Sequence, residues 1–78
     1  MRAGLTLGNR MTARDVERIV RDVLTTKGMP ATLQRIEPAV GGWRAMVRVQ
    51  ADRIIGVNVP DGPPAAVRAA TERWADEV

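Results

Sequence analysis

Gly42–Val59 reads GWRAMVRVQADRIIGVNV, and the alternation inside it decides the fold. Trp43, Ala45, Val47 and Val49 occupy odd positions, whereas Arg44, Met46, Arg48 and Gln50 occupy even ones. Successive side chains of a strand point to opposite faces, so the pattern predicts a strand over 43–50 with one apolar and one wet side. A second alternation follows, with Ile55, Val57 and Val59 on one face and Ile54, Gly56 and Asn58 on the other. The link between the two runs sets their register. A two-residue turn at Ala51-Asp52 would put Val49 opposite Ile54 and turn Val57 and Val59 to water. A three-residue loop, Ala51-Asp52-Arg53, sets Val49 beside Ile55, Val47 beside Val57 and Ala45 beside Val59. Keeping the apolar set together predicts the three-residue hairpin. Its left-handed residue falls to Asp52 or Arg53, because the loop has no glycine.

Upstream, ATLQRIE at 31–37 suggests a further strand with an internal conflict. Leu33 and Ile36 have opposite parity, so it needs either a bulge or an exposed apolar residue, and an edge position tolerates that best. Pro38 and Gly41-Gly42 mark the loop that follows. Earlier still, Thr12 and Asp15 have the spacing of a capping box, with Asp in place of the usual Glu, and a helix is predicted from there. Val16, Ile19, Val20 and Val23 share one face with the Lys27 stem, Leu24 flanks it, and Gly28 with Pro30 ends the helix. Downstream, Pro60 stops the pairing, Asp61 or Gly62 offers an N-cap, and Pro63 or Pro64 suits a first helical turn. Val67, Ala70, Thr71, Trp74 and Val78 then repeat at helical spacing, which predicts a last helix to about Asp76.

The predicted order is α-β-β-β-α: a single α+β domain over residues 11–78, with two helices on one face of an antiparallel three-stranded sheet. Residues 1–10 lack periodicity and read as a flexible N-terminal lead-in, with Met11 an alternative start.

Composition narrows the chemistry. At 78 residues a single core is barely sufficient. The chain has no Cys, His, Ser, Phe or Tyr, so it offers no disulfide, no thiolate or imidazole metal site and no Ser/Cys/His nucleophile pair. No catalytic residue, metal ligand, cofactor or small-molecule substrate is expected, and the chain does not read as an enzyme. Asp-Gly-Pro-Pro at 61–64 lacks the spacing and lysine of a phosphate loop. MRAGLTLGNR is too polar for a signal peptide and nothing later approaches a membrane span, so the cytoplasm is the expected setting. Net charge is +3, unevenly placed: residues 1–53 hold ten basic and five acidic groups, and residues 54–78 hold two and four. The basic half favours nucleic acid or an acidic protein surface through long-range steering.

The order and spacing over residues 12–78 resemble the double-stranded RNA-binding domain. WRAMVRVQADRIIGVNV is similar to that family's paired central strands, and AAVRAATERW to its alanine-rich final helix. The resemblance implies three RNA-contacting regions: the first helix, a loop bearing Gly-Pro-X-His, and a Lys-Lys-X-Ala-Lys motif opening the last helix. Here the loop is Pro38-Ala39-Val40-Gly41-Gly42, without the histidine, and Pro63-Pro64-Ala65-Ala66-Val67 keeps only Ala66 of the motif. The first helix retains Arg14, Glu17, Arg18 and Arg21.

Two helices on one side leave the other side of the sheet open, which makes Arg44, Met46, Arg48 and Ile54 the candidate surface for a protein partner or a second copy. The rival is a nucleic-acid backbone held by Arg14, Arg18 and Arg21 of the helix with Arg44 and Arg48 of the sheet, though no aromatic is interleaved for base stacking. Met46 and Ile54 are expected to be exposed. Trp43 and Trp74 fall on inward faces and read as core. Asp61 reads as a cap, and Asp76 and Glu77, opposed to the helix dipole, as a fraying end.

Overall fold

Thr12 opens the first helix with the expected capping box. Its Oγ1 accepts from the Asp15 amide at 3.1 Å, and the Asp15 carboxylate accepts from the Thr12 amide at 3.1 Å. The bond from the Thr12 backbone, and after it the one with the Thr12 side chain, hold the Asp15 carboxyl below the ordinary carboxylate range, because both favour the charged form. Helix α1 spans Ala13–Thr26. At its end the Met29 amide donates to the Leu24 carbonyl and the Gly28 amide to Thr25, each at 3.0 Å. This double closure needs a left-handed residue, and Gly28 supplies it at φ +66 without steric cost.

The structure, a computed structural model, describes residues 11–50 and 52–77. The lead-in assigned to residues 1–10, the loop residue Ala51 and the helix-face residue Val78 lie outside them. After α1 come β1 (Ala31–Ala39), β2 (Gly42–Val49), β3 (Arg53–Pro60) and α2 (Pro64–Glu77), in the α-β-β-β-α order that the pattern predicts. The strands form one antiparallel sheet in the order β1-β2-β3. Val16 and Val20 of α1, Ala45 and Val47 of β2 and Val67 of α2 are wholly removed from solvent, so both helices cover the odd-numbered face of β2. Thr71 is also fully buried, and its hydroxyl donates to the Val67 carbonyl at 2.9 Å one helical turn back.

Arg68 binds Asp22 and Lys27 binds Asp76, each at 2.5 Å, tying α2 to α1 at two levels. Asp22 precedes Lys27 as Arg68 precedes Asp76, so the helices run in the same direction. Both pairs are solvent-exposed and contribute little energy individually. Asp76, expected to mark a fraying end, is instead the partner of Lys27, whose ammonium that hydrogen bond holds above its usual range.

The β2–β3 hairpin corrects the expected register. Its three-residue loop is Gln50-Ala51-Asp52, so Val49 faces Arg53, Val47 faces Ile55, Ala45 faces Val57 and Trp43 faces Val59. The slip is two residues, which leaves every side chain on its predicted face. It also gives each of the eight residues Gly42–Val49 a partner on β3, and pairs Trp43 with Val59 instead of Asp61. The left-handed residue is Gln50, at φ 61, in place of Asp52 or Arg53.

On β1 the parity conflict is met by a bulge. Leu33 pairs with Val47 and Arg35 with Met46, so Gln34 is the extra residue, and Leu33 is buried while Ile36, opposite Ala45, packs half-buried on the core. The strand runs on through Pro38, which an edge position permits, and turns at Val40-Gly41 alone. Gly42 must lack a side chain: a Cβ there would fall on the Val59 carbonyl oxygen and within 2.8 Å of the Pro60 backbone.

The start of α2 also departs from expectation. The Pro63 carbonyl accepts from the Ala66 amide at 2.9 Å and from Val67 at 3.2 Å, which makes Pro63 the capping position and Pro64 the first helical residue. Neither Asp61 nor Gly62 caps the helix.

Candidate interaction surface

Even positions of β2 and β3 point away from the helices, and so do their partners on β1. Arg44 stands between Glu37 and Asn58, Met46 between Arg35 and Gly56, and Arg48 between Thr32 and Ile54. This open face carries three arginines against one glutamate, a surplus of two positive charges. Glu37 is held by Arg35 at 2.5 Å, along their own strand. Arg44 therefore leans the other way: its Cγ and Cδ lie over Gly56, and its Nε donates to the Asn58 Oδ1 at 3.3 Å. The Arg48 side chain takes part in no hydrogen bond or ion pair among the described residues, so its guanidinium is available to a ligand.

The sheet brings all four residues of the expected partner surface together, but not with the expected exposure. Ile54 is open, at 48% of its full accessible surface. Met46 is half-buried, because its sulfur and the Arg44 stem share the space above Gly56. The apolar patch is smaller than the sequence suggests.

The rival arginines sit elsewhere. Arg14, Glu17, Arg18 and Arg21 line a shallow depression of about 380 Å³ on the outer face of α1. Glu17 Oε2 accepts from both Nε and Nη2 of Arg21, at 3.0 and 2.7 Å, which neutralises that arginine locally. Arg14 and Arg18 form no ion pair among the described residues and keep a local surplus of two. The body of α1 and the thickness of the sheet separate this stripe from Arg44 and Arg48, since α1 lies on the opposite face. The two arginine groups expected to act on one nucleic acid thus face different directions.

Trp43 and Trp74 pack against the core but remain half-buried. Trp43 Nε1 donates to Asp61 Oδ1 at 3.1 Å, so the carboxylate read as a cap is the polar partner of an indole 18 residues away. Nothing in the local sequence announces this pair. Beside it, Met11, Pro38 and Trp43 border an open depression of about 870 Å³. Val40, wholly exposed at the β1–β2 turn, is a second feature that period-two reasoning misses, since turn residues belong to neither face.

Among the described residues no group of three acidic, His or Cys side chains is placed to hold a metal ion, and no helix is long and apolar enough to cross a membrane. No protein-family model, no curated protein and no solved structure matches the chain.

Proposed function

We propose that the chain is a small non-catalytic interaction module of the cytoplasm that engages a protein partner through the open face of its sheet. The observation that supports this most is that the core is completed on one side only. The bare side combines unneutralised Arg48, the outward Ile54 and the half-covered Met46 on the paired strands β2 and β3. A partner with acidic groups around an apolar contact would complement it, the arginines steering encounter and Ile54 giving the apolar contact.

The second reading is binding to a duplex backbone through α1, favoured by the free Arg14 and Arg18. It is the reading that the likeness to double-stranded RNA-binding domains suggests. It has less support, because the turn is reduced to Val40-Gly41, the start of α2 carries Pro63-Pro64-Ala65-Ala66 without a cation, and Glu17 occupies Arg21.

A salt titration with nuclease control separates the two. The interaction reading expects a complex from the native host that survives nuclease and is lost in the Arg44→Glu/Arg48→Glu double variant. It also expects no duplex RNA or DNA affinity at low salt. Duplex binding that falls steeply with log salt, with a slope flattened by Arg14→Ala/Arg18→Ala/Arg21→Ala, would overturn it.

A further inference from the structure

The two outer edges of the sheet are built differently. β1 is protected by three devices: the Gln34 bulge, the charged pair Arg35 and Glu37, and Pro38, which has no N–H to offer. β3 has none of these from Ile54 to Val59, six residues without a bulge, a proline or a charge. Ladder pairs alternate, so every second residue of β3 aims its N–H and C=O away from β2 with no strand to receive them among the described residues.

We infer that the β3 edge pairs antiparallel with the β3 edge of a second copy of this chain, centred on Gly56. The inference goes beyond the interaction reading above, because it uses the sheet edge and leaves the open face free. Three features select this arrangement. Centred on Gly56, the pairing sets Ile54 of one copy opposite Asn58 of the other, both from the open face, and Ile55 opposite Val57, both from the core face. The apolar faces of the two sheets therefore stay on one side. Pro60, which cannot donate, falls beyond the seven paired positions 53–59. Charge also fits: the two Arg53 side chains stand about 20 Å apart along the strands. Parallel pairing would put them side by side. The product is a six-stranded sheet with four helices on one side and two joined arginine faces on the other.

Sedimentation velocity of the full chain from micromolar to millimolar concentration tests the inference, together with hydrogen exchange and two single-cysteine variants of a chain that has no cysteine. The expected result is a species of twice the 8.5 kDa chain mass whose Ile54, Gly56 and Asn58 amides gain protection as it forms. On mild oxidation Gly56→Cys should cross-link as the dimer, since its two Cα atoms would lie about 5.5 Å apart, whereas Arg53→Cys should not. The Gly56 position allows this, because a Cβ there meets only flexible side chains, the nearest being the Arg44 stem at 3.0 Å. Should Gly56→Cys not fold, protection in the unaltered chain decides. A strict monomer at millimolar concentration overturns the inference, as does a dimer with unchanged exchange at those amides. A monomer already protected there overturns it too, because the edge is then covered by the chain itself. A strict monomer that still yields the nuclease-resistant, Arg44- and Arg48-dependent complex removes the edge pairing and leaves the interaction reading standing.

Discussion

Val47 and Arg48 are neighbours in sequence and opposites in environment, which makes them the sharpest test of a sheet covered on one side. Val47 is fully buried and lies beneath α1 and α2, whereas Arg48 is exposed. Val47→Ala removes two methyl groups, a loss of about 1.6 kcal/mol in transfer free energy. A partly collapsed cavity adds roughly 1 kcal/mol more. The sum, about 2.5 kcal/mol, is a large part of the 4–12 kcal/mol or so that a domain of this length possesses. With an unfolding entropy of roughly 0.16 kcal/mol/K for 78 residues, Tm should fall by about 15 °C. Arg48→Ala should stay within about 0.5 kcal/mol of the parent chain. Urea unfolding followed by circular dichroism measures both, with unchanged m-values as the sign that the unfolded ensembles are comparable. Equal losses at the two positions, or a Val47→Ala loss below about 0.5 kcal/mol, would refute one-sided coverage.

Other substitutions probe the local devices. Gly42→Ala should cost about 2–3 kcal/mol in the same assay, because its Cβ would displace the β3 backbone at Val59 and Pro60; a neutral result would mean that the hairpin does not close there. Thr12→Ala should cost about 1 kcal/mol through loss of the cap. Asp15 has a depressed pKa when folded, so its contribution is fully present above the unfolded value of about 3.9 and is lost as pH falls through the lower folded value. Stability of the parent chain and of Asp15→Asn should therefore converge below about pH 4; a gap that stays constant in acid titration would disprove the assignment. Trp43→Phe should lose about 1 kcal/mol with the indole bond to Asp61, and adding Asp61→Ala to that variant should cost little further, as a double-mutant cycle would show.

Much of this fold is legible in the sequence, and what is not fails for identifiable reasons. The alternation of Ala45, Val47 and Val49 against Arg44, Met46 and Arg48 determines which side is covered, and the parity clash of Leu33 and Ile36 demands the irregularity found at Gln34. The same periodicity cannot separate registers that differ by two, since both bury the same side chains. The choice falls to Gln50 accepting a left-handed backbone, which a glutamine does not advertise. The four residues of the candidate face are readable because parity places them together. The half-cover of Met46 is not, because it depends on Arg44 being turned away from Glu37 by Arg35. Pairs far apart in the chain, Trp43 with Asp61 and Lys27 with Asp76, leave no periodic trace, and from the sequence both carboxylates read as helix-end residues.

If the β3 edges pair as inferred, the blunted β1 edge also limits stoichiometry. A lamina with two bare rims would recruit copies indefinitely and grow into a fibre, whereas one blunted rim makes each molecule a terminator for the other. Removing Gln34 would straighten that rim, but the charges of Arg35 and Glu37 and the missing N–H of Pro38 would still keep a further copy from adding to it.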